Sequence, residues 1–344
     1  MNETKKLTPL SELGEFGLIR ELTKNVQLQN VSSVKGIGDD AAVIDTLGKH
    51  MVVTTDMLTE GIHFDLMYTP LKHLGYKAVV VNLSDIYAMN AVPEQITVSI
   101  AVSKKMALEN MKELYEGMLL ACQNYGVDLV GGDTTTSLTG LTISITAIGR
   151  ANSEAIVYRN GAKVNDIICV SGDLGAAYLG LQLLEREKQI FISSGAQPQL
   201  EKYTYVVEHQ LKPEARKDVI DDLGKLKIKP NAMIDISDGL SSELIHICQQ
   251  SGVGCRIYQE KIPIDFETAK VADEMNINLY TCALNGGEDY ELLFTAPLSD
   301  YDVLKEMPSV KIIGHIVDAS EGMALVTENN QIELKAQGWN PIKD

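Results

Sequence analysis

The sequence is short of positive charge, of aromatic side chains and of any long apolar run. Thirty Lys and Arg face 47 Asp and Glu in 344 residues, a formal net charge of −17. A chain with that balance has no basic face for holding nucleic acid or an anionic membrane through its overall field. The charge is dispersed rather than gathered in a tail, and 45% of the residues are hydrophobic, which argues against disorder. No stretch approaches the roughly 18 apolar residues of a membrane span. The opening MNETKKLTPL lacks the apolar centre of a signal peptide. The five cysteines (Cys122, Cys169, Cys248, Cys255, Cys282) are odd in number and contain no C-x-x-C pair. That argues against a disulfide framework or a structural zinc site and for reduced thiols in a cytoplasmic protein. The usual nucleotide signatures are absent too: G-x-x-x-x-G-K-[ST], a Rossmann G-x-G-x-x-G after a strand, and the kinase H-R-D and D-F-G. A nucleotide would have to be held through metals and backbone.

What is present is an alternation of strands and helices. Met51–Thr55 is a β-branched run ending at Asp56, and His73–Met89 has the apolar spacing of a buried helix. Gln95–Val102 and Leu141–Ile148 alternate as strands, with a long amphipathic helix over Lys105–Tyr125 and a short strand Val127–Val130 between them. The chain turns polar at 150–160. Beyond it come strands at Ile167–Val170 and Ala232–Asp235, and helices to Leu184 and over Leu240–Gln250. Further strands are expected at Gly254–Tyr258, Tyr290–Thr295, Lys311–Val317 and Ala324–Thr327, with Arg186–Pro213 as a polar, lid-like loop. The expected fold is α/β (α+β), with two related domains over 1–150 and 151–344 and mixed sheets covered by helices.

Five segments end a run or fill a turn with Asp: Gly38-Asp39-Asp40, Thr54-Thr55-Asp56, Asn82-Leu83-Ser84-Asp85, Gly131-Gly132-Asp133 and Asp235-Ile236-Ser237-Asp238-Gly239. One such segment is ordinary turn or helix-cap chemistry. Five of them, one interrupting the apolar helix Ala78–Ala88, point to hard cations, which take carboxylate, hydroxyl, water and phosphate oxygens. Taken as free surface charge, −17 would repel phosphates. Carboxylates committed to bound cations invert that field locally.

Read in order, GEFGLIREL (14–22), GIGDDAAVI (36–44), TTDMLTEGIHFD (54–65), GYKAVVVNLSDIYAMNAVP (75–93), YGVDLVGGDTT (125–135), RNGAKVNDIICVSGDLG (159–175), IDISDGLSSEL (234–244) and ALNGGEDYELLF (283–294) resemble the thiamine-monophosphate kinase family of the AIR synthetase-like (PurM-like) superfamily. The resemblance implies a two-domain PurM-like fold and direct in-line transfer of a phosphate from ATP to thiamine monophosphate with several Mg²⁺ ions. It also implies a homodimer joined through the N-terminal sheets, for which QITVSIAV and LTISITAI are the candidate strands. Matched motif by motif, it implies Asp40, Asp56, Asp85, Asp133, Asp235 and Asp238 as metal carboxylates, with Thr54 and Thr55 as added ligands. Tyr115, Gly132, Asp133, Arg159 and Ser237 would contact ATP. His63, Glu288 and Trp339 would contact thiamine monophosphate.

The residues alone leave other readings open. His63 can be a structurally bonded histidine, Glu288 a turn carboxylate, Tyr115 a core residue, Arg159 a surface residue and Trp339 a C-terminal plug. A selenophosphate synthetase-like enzyme would carry a Cys near its N-terminus, and none precedes Cys122. An aminoimidazole ribonucleotide synthetase-like enzyme and a non-catalytic nucleotide or metal module are the remaining alternatives; the latter has no need of separate nucleotide and acceptor motifs.

Overall fold

A computed structural model of the chain describes residues 21–35, 43, 44, 46, 50–152 and 154–336. The chain divides into two compact units, Met1–Ile86 with Ala91–Ser153, and Tyr87–Asn90 with Glu154–Asp344. No helix among the described residues is long and apolar enough to cross a membrane.

The first unit holds β1 (Ser33–Lys35), β2 (Val43–Ile44), β3 (His50–Thr59), α1 (Leu71–Ala88), β4 (Val92–Ser103), α2 (Leu108–Tyr125), β5 (Asp128–Ser137) and β6 (Thr142–Ala151). Its main sheet runs β3-β6-β4-β5, antiparallel except for the parallel pair β4–β5. Period-two alternation explains why one face is buried. Ile96, Val98 and Ile100 of β4 register with Ala147, Ile145 and Ile143 of β6, and all six are buried. α1 lies on this face, tied to β3 by hydrogen bonds described below. The opposite parity carries Met51, Val53, Thr55 and Met57 of β3, all exposed, beside the hydroxyls of Ser144 and Thr146. The expected interface strands β4 and β6 are the two inner strands. Both their edges are paired, so they can meet another copy only through their faces.

Asp56 and Asp133 do not end strands. β3 continues to Thr59 and β5 to Ser137, so both carboxylates sit within a ladder. Asp and Gly have low strand propensity, but cross-strand pairing overrides it here.

The second unit holds β7 (Ile167–Ser171), α3 (Ala176–Ser194), α4 (Thr204–Leu211), α5 (Lys217–Leu226), β8 (Ala232–Asp235), α6 (Leu240–Ser251), β9 (Gly254–Tyr258), α7 (Phe266–Met275), α8 (Leu279–Asn285), β10 (Leu292–Ala296), β11 (Val310–Val317), β12 (Met323–Val326) and β13 (Gln331–Glu333). Its sheet runs β13-β12-β9-β11-β7-β10-β8. The segment expected as a lid-like loop is largely helical: α3 runs on to Ser194, and α4 occupies 204–211. Most of its polar residues face solvent, but Glu187 and Gln210 are buried, and Tyr203 and Val206 pack with Leu183 of α3 and with Val271, Ala272 and Cys282 of α7 and α8. All five cysteines are free and buried.

Asp128, fully buried at the start of β5, holds the segment before β1. It accepts hydrogen bonds from the Gln29 and Asn30 amides and from Ser33 Oγ at 2.6 Å. An Asp128→Leu variant takes the acceptor from the half-buried Asn30 amide and the buried Ser33 hydroxyl, a buried unpaired donor costing about 1–3 kcal/mol. Urea unfolding should show a loss on the order of 3 kcal/mol, with hydrogen exchange accelerated first at residues 29–33.

Candidate active site

In the first unit the structure brings Asp56 to Asp85. Asp56 lies on the helix-covered face of β3, and its amide donates to Asn82 Oδ1 of α1 at 3.0 Å. One helical turn on, Asp85 Oδ2 accepts from Thr54 Oγ1 at 2.6 Å. Asn82 and Asp85 are three apart and share a helix face, as Thr54 and Asp56 are two apart and share a strand face. Burial, then the negative charge of Asp85, push the Asp56 carboxyl from 3.8 up to about 6. Two carboxylates and a hydroxyl thus crowd one spot.

The structure does not bring Asp133 to them. Asp133 registers with Ser99, on the uncovered face of β5, while Asp56 registers with Ile145 on the covered face. Three strand spacings of about 4.8 Å separate β5 from β3, roughly 14 Å. Thr55 shares the uncovered face with Asp133. Its hydroxyl donates to the Ile145 carbonyl at 3.0 Å and accepts from Thr146 Oγ1 at 3.1 Å. Gly132 runs so close to β4 that a Cβ would strike the Val98 carbonyl. Tyr115 is a buried residue of α2, its phenol raised to about 12 by burial. His63 closes the turn after β3: its Nδ1 accepts the Thr59 amide at 3.1 Å, which places the proton of the neutral ring on Nε2. Asp40 and Trp339 lie outside the described residues.

In the second unit two turns distant in sequence are laced together. The Glu288 and Tyr290 amides donate to the carbonyls of Ser237 (2.7 Å) and Ile236 (2.9 Å), and the Ile236 amide donates to the Glu291 carbonyl at 2.7 Å. The approach requires glycine. A Cβ on Gly287 would stand 2.5 Å from the Ser237 carbonyl oxygen, and one on Gly239 would stand 2.9 Å from Asn285 Cα. The bend also places Gly287, Glu288 and Tyr290 at φ of 69°, 58° and 53°. For the two non-glycine residues that conformation costs about 1 kcal/mol or more each, and such strain gathers at functional sites. The Asp238 amide donates to Glu243 Oε1 at 3.1 Å, and burial pushes the Glu243 carboxyl up to about 8. Burial also raises Asp238, while the positive charges of His246 and Arg159 pull it back down. Asp235 is buried at the end of β8.

Asp289 and Glu291, on the other parity of the 288–291 segment, anchor it. Asp289 accepts the Gly175 amide at 3.0 Å at the start of α3; Glu291 accepts from Ser171 Oγ and from Arg216 Nη1 at 2.8 Å. These two carboxylates, with Arg216, His209 and Lys212, line a cleft of about 340 Å³. Sequence reasoning passed over Asn82, Glu243, Asp289, Glu291 and Arg216. Asn82 was visible as the residue three before Asp85, and Asp289 and Glu291 as the alternate positions around Glu288. Arg216 carries no sequence signal.

Among the described residues no three His, Cys, Asp or Glu side chains stand close enough together to hold a metal ion. The Asp56–Asp85–Thr54 grouping still suits Mg²⁺, which is commonly bound by one or two carboxylates with substrate phosphates and waters completing its shell. The pH dependence of Asp56 has a definite sign. Without a cation, the folded state holds a proton between about pH 4 and 6 that the unfolded chain releases, so stability falls as pH rises through 6. In chelator at pH 8, Asp56→Asn should therefore be more stable than the parent, by on the order of 2 kcal/mol, with the gap closing below about pH 4. Chemical denaturation at both pH values checks this.

Residues 38–151 match the family model for the AIR synthase related protein N-terminal domain. The thiamine-monophosphate kinase of Aquifex aeolicus is 34% identical over 331 residues, covering 96% of this chain and 98% of the relative. That of Bacillus subtilis is 34% identical over 341 residues, covering 96% and 100%. A solved structure, AaThiL complexed with AMPPCP and TMP, superposes with a TM-score of 0.74 at 32% identity, covering 98% of each chain. With identity at this level across almost the full length of both partners, the chain belongs to the thiamine-monophosphate kinase family.

Proposed function

We propose that this protein transfers the γ-phosphate of ATP to thiamine monophosphate, giving thiamine diphosphate and ADP, and that it needs Mg²⁺ to do so. The observation that carries the reading is full-length similarity to thiamine-monophosphate kinases, one related structure having been solved with an ATP analogue and TMP. The local geometry supports it. Asp56 and Asp85, held by Thr54 and Asn82, form an oxygen-donor pair whose mutual repulsion a divalent cation relieves.

The acceptor's chemistry sets what the chain must do. A phosphate monoester has a second pKa near 6 and is largely a dianion at neutral pH. It needs no general base; it needs relief from repulsion by the nucleotide, and alignment. No single catalytic residue is assigned. Asp40, Asp56, Asp85 and Asp133 with Thr54 and Thr55, and Asp235 and Asp238 in the second unit, are the candidate holders of Mg²⁺. When bound, the ions would supply charge neutralisation on the phosphates. Gly132 and Ser237 would place backbone and hydroxyl against the nucleotide, with Arg159 opposite phosphate charge and Tyr115 near the base. Tyr115 is buried on α2, so contact with the base would require its side chain to turn out of the core. His63, Glu288 and Trp339 would orient the acceptor. Five free, buried thiols suit the cytoplasm.

We further propose that two copies meet through the uncovered face of the first sheet. Met51, Val53 and Met57 expose 40%, 58% and 57% of their surface there. Thr55 and Asp133 share that face but lie on strands roughly 14 Å apart in one chain and two residues out of register, so a second copy could bring its Asp133 to this chain's Thr55.

Two measurements test these readings. Coupled ADP release should require both Mg²⁺ and thiamine monophosphate, and Asp85→Asn should lower kcat/KM at least a hundredfold. Absence of turnover above the ATPase background contradicts the activity, and an unimpaired variant contradicts the metal assignment. Light scattering should return a dimer for the parent and a monomer for Val53→Lys; a monomeric parent rules out the shared face.

A further inference from the structure

We propose that Gln210 is a positioning residue for the acceptor: it fixes the Glu288 carboxylate in the orientation that receives thiamine monophosphate. The inference rests on the reading of Glu288 as an acceptor contact, and takes it one residue further.

Gln210 lies near the end of α4 and is 5% exposed. Its Nε2 donates to Glu288 Oε2 at 2.9 Å, across 78 residues of sequence. A buried amide spent on a half-buried carboxylate is a directed contact, and a hydrogen bond to a charged group is among the stronger ones. The backbone of the Glu288 turn has no need of Gln210. It is laced to Ile236 and Ser237, and its neighbours are anchored separately, Asp289 on the Gly175 amide and Glu291 on Arg216 and Ser171. What the Gln210 contact adds is the direction of the Glu288 side chain, which carries three rotatable bonds.

The placement of α4 serves the same contact. Tyr205 Oη donates to Asp173 Oδ2 at 2.7 Å, pinning the first half of the helix to the turn after β7. On α3, Gly180 lets the two helices touch backbone to side chain. A Cβ there would strike the Val206 carbonyl and stand 2.8 Å from Gln210 Cβ. Without that close seat Gln210 would stop short of Glu288. The segment 186–213 therefore reaches the acceptor residue through a helix and one amide, rather than as a loop closing over it.

The test uses the full-length protein and steady-state kinetics with each substrate varied. Gln210→Leu keeps the buried volume and removes the donor. It should raise KM for thiamine monophosphate on the order of tenfold, with kcat and the KM for ATP unchanged. Gln210→Glu sets a second carboxylate against Glu288. The ratio of its KM for thiamine monophosphate to that of the parent should be large at pH 8 and shrink towards pH 6, as the two carboxylates come to share a proton. A purely structural role would move both KM values together and give no such pH dependence. Glu288→Gln separates the layers. If it raises KM for thiamine monophosphate while both Gln210 variants match the parent, the positioning role is overturned and the acceptor contact stands. If Glu288→Gln itself leaves that KM unchanged, the acceptor reading fails and the positioning role fails with it. Should Gln210→Leu not fold, the pH-dependent ratio of Gln210→Glu decides alone, and a ratio flat in pH overturns the proposal.

Discussion

Two carboxylates on adjacent elements, Asp56 within β3 and Asp85 on α1, are held where neither wants a like-charged neighbour. Hydrogen bonds from Thr54 to Asp85 and from the Asp56 amide to Asn82 fix the spacing. The result is a like-charged pair that the fold makes and that a cation or a proton relieves. The rest of the first unit serves it. The buried face of the sheet seats α1, and α1 presents Asn82 and Asp85 one turn apart towards β3. The acidity of the whole chain then ceases to argue against anionic ligands, since paired carboxylates such as these are well placed to recruit counter-charge.

The second unit solves a different problem. It holds Ser237, Asp238 and Glu288 near one another although they come from turns some 50 residues apart. It does so with main-chain hydrogen bonds between the turns, close enough that Gly239 and Gly287 tolerate no side chain. The positive φ of Glu288 and Tyr290 is the strain that this close lacing imposes. Asp289, Glu291, Arg216 and Ser171 then act as the clamp that keeps the strained segment in place.

Much of this was legible in the sequence, and the exceptions are instructive. Period-two runs such as Gln95–Val102 and the apolar spacing of His73–Met89 located β4 and α1 to within a few residues, because burial of one face writes itself into composition. The run-through of β3 past Asp56 and of β5 past Gly131-Gly132-Asp133 was not legible. Local propensity marks those residues as strand ends, and only the partner strands override it. The polar stretch after Leu184 read as a loop because a surface helix needs few apolar residues; α4 buries only Val206, Gln210 and Leu211. The motif residues were all visible, but their grouping was not. Nothing in the spacing tells that Asp56 meets Asp85 while Asp133 lies three strands away on the opposite face, or that Gln210 and Arg216 reach back to the 288–291 turn.

The central prediction is that acidic residues of this chain bind phosphate only through a divalent ion. Equilibrium binding of a non-hydrolysable ATP analogue, measured by calorimetry in chelator and again with Mg²⁺, addresses it without turnover. The expected result is weak or undetectable binding in chelator and an affinity at least tenfold higher with Mg²⁺. Equal affinity in the two conditions would contradict it.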